Sequence, residues 1–218
     1  MHQTIKIGKI KTSKKELVDI TKSWLALSLA FALAFSSTSL VNGTITNVFS
    51  LTFAVMFLIS LFTAGIGFLF HELAHKFSAQ HYGCIAEFRA FDQMLYVAVG
   101  LAALVGFIFA APGAVMISGH ITRKENGIIS LAGPLTNFVF GLFFLGLTFV
   151  FPQYPQLSFA FMIGFQINFW LGLFNLIPFG NFDGKKILNW DRYVWMGMVF
   201  IGIVALDIFG LRKSLFGF

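Results

Sequence analysis

Charged residues are scarce in this chain of 218 residues, and their scarcity excludes most classes of protein. Asp, Glu, Lys and Arg make up 11% of the sequence, whereas soluble domains carry about 25%. Hydrophobic residues account for 57%, and the mean hydropathy is +0.83. These values exclude a water-soluble domain and predict a chain that lies largely within a lipid bilayer.

Cysteine is almost absent, since Cys84 stands alone and cannot form an internal disulfide. We expect its side chain to be a small buried apolar group. The net charge of +6 does not predict nucleic-acid binding, because no basic patch is interleaved with aromatic residues. Lysines instead flank the apolar segments, as anionic lipid headgroups and topology selection favour. We therefore expect the bilayer, and not nucleic acid, as a partner, and the sequence favours no particular oligomeric state.

Apolar runs long enough to cross a membrane occur at 24–41, 51–80, 128–151, 157–177 and 193–211. They predict an all-α polytopic membrane protein of five to six transmembrane helices, with a membrane-embedded hairpin and short strands. Residues 1–22 are predicted to form a basic cytoplasmic segment and residues 23–218 one membrane domain. "TIKIGKIK" alternates like a short strand, and Ser13 with Glu16 indicates a capping box that begins a helix. A cleaved signal peptide is less favoured, because no small-residue cleavage site is convincing.

The apolar stretch 95–119 could cross the membrane once or could enter and return. A single crossing would place five of the fifteen basic residues outside with the Lys-rich N-terminus inside. A hairpin, helix in and extended strand out, would leave Arg212 and Lys213 as the external basic residues. The positive-inside rule favours the hairpin, packed against protein because irregular backbone cannot face lipid. The N-terminus would then be cytoplasmic.

A polar motif, "HELAH", directly follows the uncharged run 51–70. Residues four apart on a helix share a face, so His71 and His75 can both bind one tetrahedral zinc, while Glu72 on the adjacent face can reach a water at the metal. Composition alone would produce roughly 0.002 such matches. The alternative is a hydrogen-bonded polar cluster between helices.

A catalytic zinc of this kind needs a third protein ligand. The candidates are His81, Glu87, His120, Asp183 and Asp207. Asp183 stands in "NLIPFGNFDG", where Pro178, Gly180 and Gly184 interrupt an apolar helix and can turn a carboxylate inward. With the hairpin topology, the helices before His71 and Asp183 both run from outside to inside. His71, His75 and Asp183 would then meet in the cytoplasmic half of the membrane.

Three motifs in order resemble those of the site-2 proteases, which are intramembrane zinc metalloproteases. "HELAH" is similar to the family's H-E-x-x-H, "AGPLTNF" to the G-P-x-x-N that opens its following core helix, and "NLIPFGNFDG" to its N-x-x-P-x-P-x-L-D-G. The resemblance covers about residues 54–190. It implies one zinc per chain on His71, His75 and Asp183, with Glu72 as general base.

The resemblance also implies hydrolysis of peptide bonds within or beside transmembrane helices of substrate proteins. Asn137 and Asn175 would stabilise the oxyanion or hold the Asp183 loop. Gly180 stands where the family has proline and Phe182 where it has leucine, which changes no ligand. Since a transmembrane helix must unwind before hydrolysis, one hypothesis is that "GAVMISG" pairs with the unwound segment by β-augmentation. The alternative is that this stretch simply packs against the core.

Two other classes of function would explain part of this arrangement of motifs. A transporter or channel could use His and Asp at mid-depth and a broken helix to bind an ion, but it leaves Glu72 unexplained and predicts internal repeats that the sequence lacks. A catalytically inactive relative would keep the ligands and lose turnover.

Cobalt would fit the same ligands as zinc. Lys76, next to the second histidine, is predicted to be an interfacial anchor.

Overall fold

The computed structural model of the chain describes residues 4–7, 10–106, 108 and 113–210. The described helices and strands follow one another in this order: β1 (Thr4–Ile7), β2 (Ile10–Ser13), α1 (Lys14–Phe35), a 3-10 helix (Ile45–Phe49), α2 (Leu51–Ser60), a π-helix (Leu61–Gly65), α3 (Ile66–His81), β3 (Ile85–Ala90), α4 (Asp92–Val105), β4 (Gly113–Ser118), α5 (Arg123–Val150), α6 (Pro155–Asn175), α7 (Asp183–Trp190) and α8 (Arg192–Gly210).

Helices dominate, and in the described part of the chain five are long and apolar enough to cross a membrane. They are Lys14–Phe35, Leu51–His81, Arg123–Val150, Pro155–Asn175 and Arg192–Phe209. The second of them joins α2, the π-helix and α3 into one continuous helix. The predicted fold class, an all-α polytopic membrane protein with short strands, is confirmed.

The chain divides into two compact units, which are described separately. The first consists of Met1–Glu72 and Ile85–Ser118, and the second of Leu73–Cys84 and Gly119–Phe218. The boundary passes through α3, which remains one unbroken helix on both sides of it. The predicted division at residues 22 and 23 falls inside α1.

The first transmembrane helix begins ten residues before the predicted position at Trp24. Ser13 caps it by accepting a hydrogen bond from the Glu16 amide at 3.2 Å, which is one of the two bonds of the predicted capping box. The helix ends at Phe35 rather than at residue 41, because Ser37 adopts a left-handed conformation with φ of 53°. Hydropathy had predicted the apolar part of this segment, whereas capping and the positive φ set its ends. "TIKIGKIK" spans most of a two-stranded hairpin, β1 and β2, instead of one strand.

A second two-stranded sheet pairs β3 with β4 in antiparallel register, with Phe88 opposite Val115. Helix α4 lies between these strands in sequence. The predicted order for 95–119, a helix followed by an extended strand, is confirmed, although the helix begins earlier, at Asp92. Residues 107 and 109–112 of this stretch lie outside the described part.

Glu16 covers the outer edge of β3. Its carboxylate is fully buried and accepts hydrogen bonds from the Thr12 hydroxyl at 2.7 Å and from the Phe88 amide at 2.9 Å. The Arg89 guanidinium donates to the Phe88 carbonyl at 3.0 Å. Since both main-chain groups of Phe88 point away from β4, those of its partner Val115 point away from β3. The first unit therefore closes one edge of this sheet with its own side chains.

The second unit is built around buried aromatic rings on α5 and α6. The rings of Phe138 and Phe169 stack with their centroids 4.6 Å apart and their planes at 6°. The cluster also contains Phe144, Leu145, Phe165, Leu176 and Ile187. Helix α7 packs against α5 and α8, so this cluster supports the helix that begins at Asp183.

We expect Gly141→Ala to destabilise the second unit. A Cβ at this position on α5 would overlap the Phe169 ring, which is fully buried and has no room to move. Overpacking of this kind costs about 1–3 kcal/mol. The free energy of unfolding in detergent measures the change. Gly146→Ala, five residues further along α5, is the matched control because a Cβ there meets nothing within 4 Å. Equal stability of the two variants would contradict the packing described.

Candidate metal centre

His71 and His75 lie one turn apart on α3, and both are buried, with exposed fractions of 4% and 7%. Because α3 is continuous from Ile66 to His81, helix geometry fixes the two imidazoles on one face. Glu72 follows His71 on the adjacent face and is partly exposed. This is the arrangement that the spacing of "HELAH" predicts.

Asp183 reaches the site because the helix before it ends at Asn175 and a new helix, α7, begins at Asp183 itself. Gly180 turns the chain between them with φ of +56°, a value that proline cannot adopt. Gly184 lies so close to the Leu176 carbonyl that a Cβ there would overlap the backbone. The "DG" pair thus folds α7 back onto the end of α6. Gly180, which stands where the resembling motif has proline, gives this loop a backbone that a proline would forbid.

The tautomer of His75 is set by the main chain of α5. Its Nδ1 lies 2.7 Å from the Ile129 carbonyl oxygen, a group that only accepts, so Nδ1 carries the proton and donates. In the neutral ring, Nε2 then keeps its lone pair. A histidine that donates through one nitrogen and coordinates through the other is the common arrangement in metal sites.

The second ring nitrogen of His75 faces the carboxylate of Asp183, with Nε2 and Oδ2 3.0 Å apart. Both atoms are acceptors in this tautomer, and both residues are buried, so the contact is unfavourable unless a proton or a metal cation lies between them. Two ligands of a tetrahedral zinc with bonds of about 2.0–2.1 Å are separated by about 3.3 Å, close to the observed distance.

His71 completes the group, since one ligand atom each from His71, His75 and Asp183 lies within 4.8 Å of the others. Two imidazoles and one carboxylate form a donor set that zinc binds, and three protein ligands leave a fourth position for water. The residues present therefore fit a catalytic zinc. They bring together the three ligands that the sequence predicted.

The second oxygen of Asp183 has its own partner. Lys186, one turn further along α7, places its ammonium 3.5 Å from Oδ1. This contact leaves Oδ2 for the site, in the way that outer hydrogen bonds commonly orient ligating carboxylates. The lysine is 40% exposed, so its charge contributes little to stability and more to the direction of the carboxylate.

The other predicted third ligands do not join the cluster. In the described part of the chain, the group of metal-ligating side chains contains His71, His75 and Asp183 and none of His81, Glu87, His120 or Asp207. His81 ends α3, Glu87 lies on β3, and Asp207 is on α8.

The two predicted asparagines lie on helices of the second unit. Asn137 on α5 is fully buried and donates from Nδ2 to Oδ1 of Asn168 at 3.2 Å. Asn175 is the last residue of α6 and donates to the Leu171 carbonyl at 2.9 Å. These bonds support helix packing and the end of α6, and an oxyanion role for either amide stays a prediction.

The apolar run predicted at 128–151, which contains "AGPLTNF", forms most of helix α5. The helix begins earlier, at Arg123, where Thr122 and Glu125 form a complete capping box. The sequence "TRKE" carries this capping signal. Pro134 is therefore an interior proline of α5.

Sequence reasoning missed three features of the site region. The acceptor for His75 is the carbonyl of Ile129, and a main-chain group leaves no trace in residue identity. Asn168, the partner of Asn137, is buried on α6 and could have been noticed as a polar residue in an apolar helix. Lys76, expected at the interface, is instead 2% exposed.

The chain is similar to a known protein along most of its length. No family model matches the chain, and no solved structure matches it. A curated protein of Methanocaldococcus jannaschii, named "Putative zinc metalloprotease MJ0611", is 37% identical over 200 residues. The alignment covers 90% of this chain and 96% of that protein.

The fold and the buried ligands define a multi-pass membrane protein with a site suited to zinc. The similarity along nearly the whole of both chains identifies it further. The chain belongs to the same zinc metalloprotease family as the M. jannaschii protein.

We expect Asp183→Asn to lose the metal. The amide has the same shape but no charge, and its nitrogen would donate towards His75 Nε2 and occupy the lone pair that a metal needs. Affinity for zinc should fall by at least about tenfold. Zinc per chain, measured by mass spectrometry after dialysis against a competing chelator, tests this. Asp92→Asn, at a side chain that is 61% exposed, is the matched control. Full zinc retention by Asp183→Asn would rule out Asp183 as a ligand.

Proposed function

We propose that the protein is an intramembrane zinc metalloprotease of the site-2 protease type. It would hydrolyse peptide bonds within or beside transmembrane helices of substrate proteins. His71, His75 and Asp183 would hold one zinc ion, and Glu72 would act as general base. The N-terminus and the active-site end would face the cytoplasm.

One observation carries this proposal: His75 Nε2 and Asp183 Oδ2 face each other at 3.0 Å and are both buried, in a chain whose helices are apolar enough to cross a membrane. Ionisable groups inside the bilayer are costly and mark function. A structural cluster would be satisfied by hydrogen bonds alone and would not need a glutamate directly after the first histidine.

The chemistry assigns one task to each residue. His71, His75 and Asp183 would hold a zinc ion, which would supply a bound water with a pKa of about 7 and polarisation of the scissile carbonyl. Glu72 accepts the proton of the attacking water and then donates it to the leaving amide nitrogen. His75, oriented by Ile129, and Asp183, oriented by Lys186, hold the ligand geometry constant.

A substrate helix must expose its carbonyls before it can be cleaved, and β4 supports a mechanism for this. Because Glu16 and Arg89 occupy the main-chain groups of Phe88 on β3, the outward groups of Val115 on β4 form the other edge. Within the described residues, Val115 has no hydrogen-bond partner on that edge. An unwound substrate segment would pair there as an added strand.

Replacing Glu72 by Gln should abolish cleavage and preserve zinc binding, because the amide cannot act as a base while His71, His75 and Asp183 are all retained. The rate should fall by about 10² to 10⁴-fold. Purified protein in detergent is incubated with a transmembrane-helix reporter, and products and bound zinc are measured.

Glu125→Gln, in the capping box of α5, serves as the control for this change of residue type. Equal cleavage by wild type and Glu72→Gln would remove Glu72 from the mechanism. Zinc binding without cleavage by the wild type would indicate an inactive relative.

Replacing Val115 by Pro should weaken substrate use. The change removes the outward N–H of β4 and leaves the β3 ladder intact, since proline is tolerated at sheet edges. Loss of one main-chain hydrogen bond, worth about 0.5–1.5 kcal/mol, should lower kcat/KM by about two- to tenfold. Val115→Ala keeps the N–H and is the control. Unchanged kcat/KM in the proline variant would argue against strand addition at β4.

A further inference from the structure

A π-helix interrupts the long helix that carries the histidines. It spans Leu61–Gly65, between α2 and α3, and His71 follows it by six residues. A π-turn contains one more residue than an α-turn. Compared with an uninterrupted α-helix, it therefore rotates the side chains of α3 by about 100° about the helix axis relative to those of α2. The direction of His71 therefore depends on whether this π-turn is kept.

Trp24 on α1 contacts the π-helix at its first residue. Its indole Nε1 donates a hydrogen bond to the Leu61 carbonyl at 3.0 Å. The bond reaches across 37 positions in sequence, and both residues belong to the first unit. A carbonyl oxygen has two lone pairs, so the Leu61 oxygen can accept the indole N–H in addition to a main-chain amide.

Gly65, the last residue of the π-helix, provides a second and independent contact. A Cβ there would lie 2.5 Å from Trp24 Cδ1 and 2.5 Å from Nε1, and it would overlap the Ser28 hydroxyl. Ser28 in turn donates to the Trp24 carbonyl at 2.7 Å. The indole thus occupies the space that a side chain at position 65 would fill, and the Ser28 hydrogen bond holds the turn of α1 that carries it.

We propose that Trp24 is a positioning residue for the metal site. Its indole holds the π-turn at Leu61–Gly65 and so sets the rotation of α3, and with it the direction of the His71 imidazole. This inference rests on the proposed function, since it assumes that His71 is a metal ligand. Without the indole, the turn relaxes towards an α-turn and the imidazole turns away.

The test compares metal binding by the full-length protein in detergent after removal of the indole N–H. Trp24→Phe removes the donor, and replacement of Trp24 by benzothienylalanine removes only the N–H while keeping the ring shape. Trp170→Phe, at a partly exposed tryptophan on α6, is the matched control. Affinity for Co²⁺ and the visible absorption spectrum of the bound Co²⁺ are measured, together with the thermal midpoint of the metal-free protein.

Both Trp24 variants should bind Co²⁺ about tenfold more weakly than wild type and show an altered ligand-field spectrum, as expected when a ligand is misdirected. A merely structural role would lower the thermal midpoint and leave the spectrum of the folded fraction unchanged. If Trp24→Phe does not fold, the benzothienylalanine variant decides the question.

Affinity within twofold of wild type and an unchanged spectrum would overturn the inference while leaving the proposed function intact. Failure of the wild type to bind Co²⁺ or zinc would overturn both. The same altered spectrum in Trp170→Phe would also overturn it, because the effect would then not be specific to the π-turn.

Discussion

The site depends on the cost of placing two hydrogen-bond acceptors against each other away from water. His75 Nε2 and Asp183 Oδ2 are 3.0 Å apart, and neither residue is more than 8% exposed. In a low-dielectric interior such a pair is stable only with a positive charge between its members. Much of the surrounding structure serves this pair: the break between α6 and α7, the close approach at Gly184, the Ile129 carbonyl and the Lys186 ammonium.

The sequence predicted which side chains the structure brings together at the candidate site, because their chemistry shows in residue type and spacing. "HELAH" needs only the period of a helix to place His71 and His75 together, and Pro178, Gly180 and Gly184 predict the break before Asp183. The ends of α1 were less predictable. Hydropathy measures which residues prefer lipid. The start of α1 is instead set by the cap at Ser13, and its end by the positive φ of Ser37.

Other features could not be predicted because they arise where distant segments meet. The bond from Trp24 to Leu61, the cover of Glu16 over Phe88 and the Asn137–Asn168 pair join residues that lie 37, 72 and 31 positions apart. A polar residue in an apolar segment indicates that a partner exists, but a single sequence does not identify it. The π-helix adds a further difficulty, because "LFTAG" has no residue that distinguishes a π-turn from an α-turn.

The hydrogen bond from His75 to the Ile129 carbonyl has a consequence for how the protein tolerates mutation. Where a histidine is oriented by an aspartate or glutamate side chain, one base change can delete the orienting group. Here every amino acid at position 129 supplies the same carbonyl, so no substitution of that residue removes the acceptor. The hydrogen bond that sets the tautomer of His75 therefore depends on the position of the α5 backbone, whereas the contact from Lys186 to Asp183 depends on a side chain that a substitution can remove.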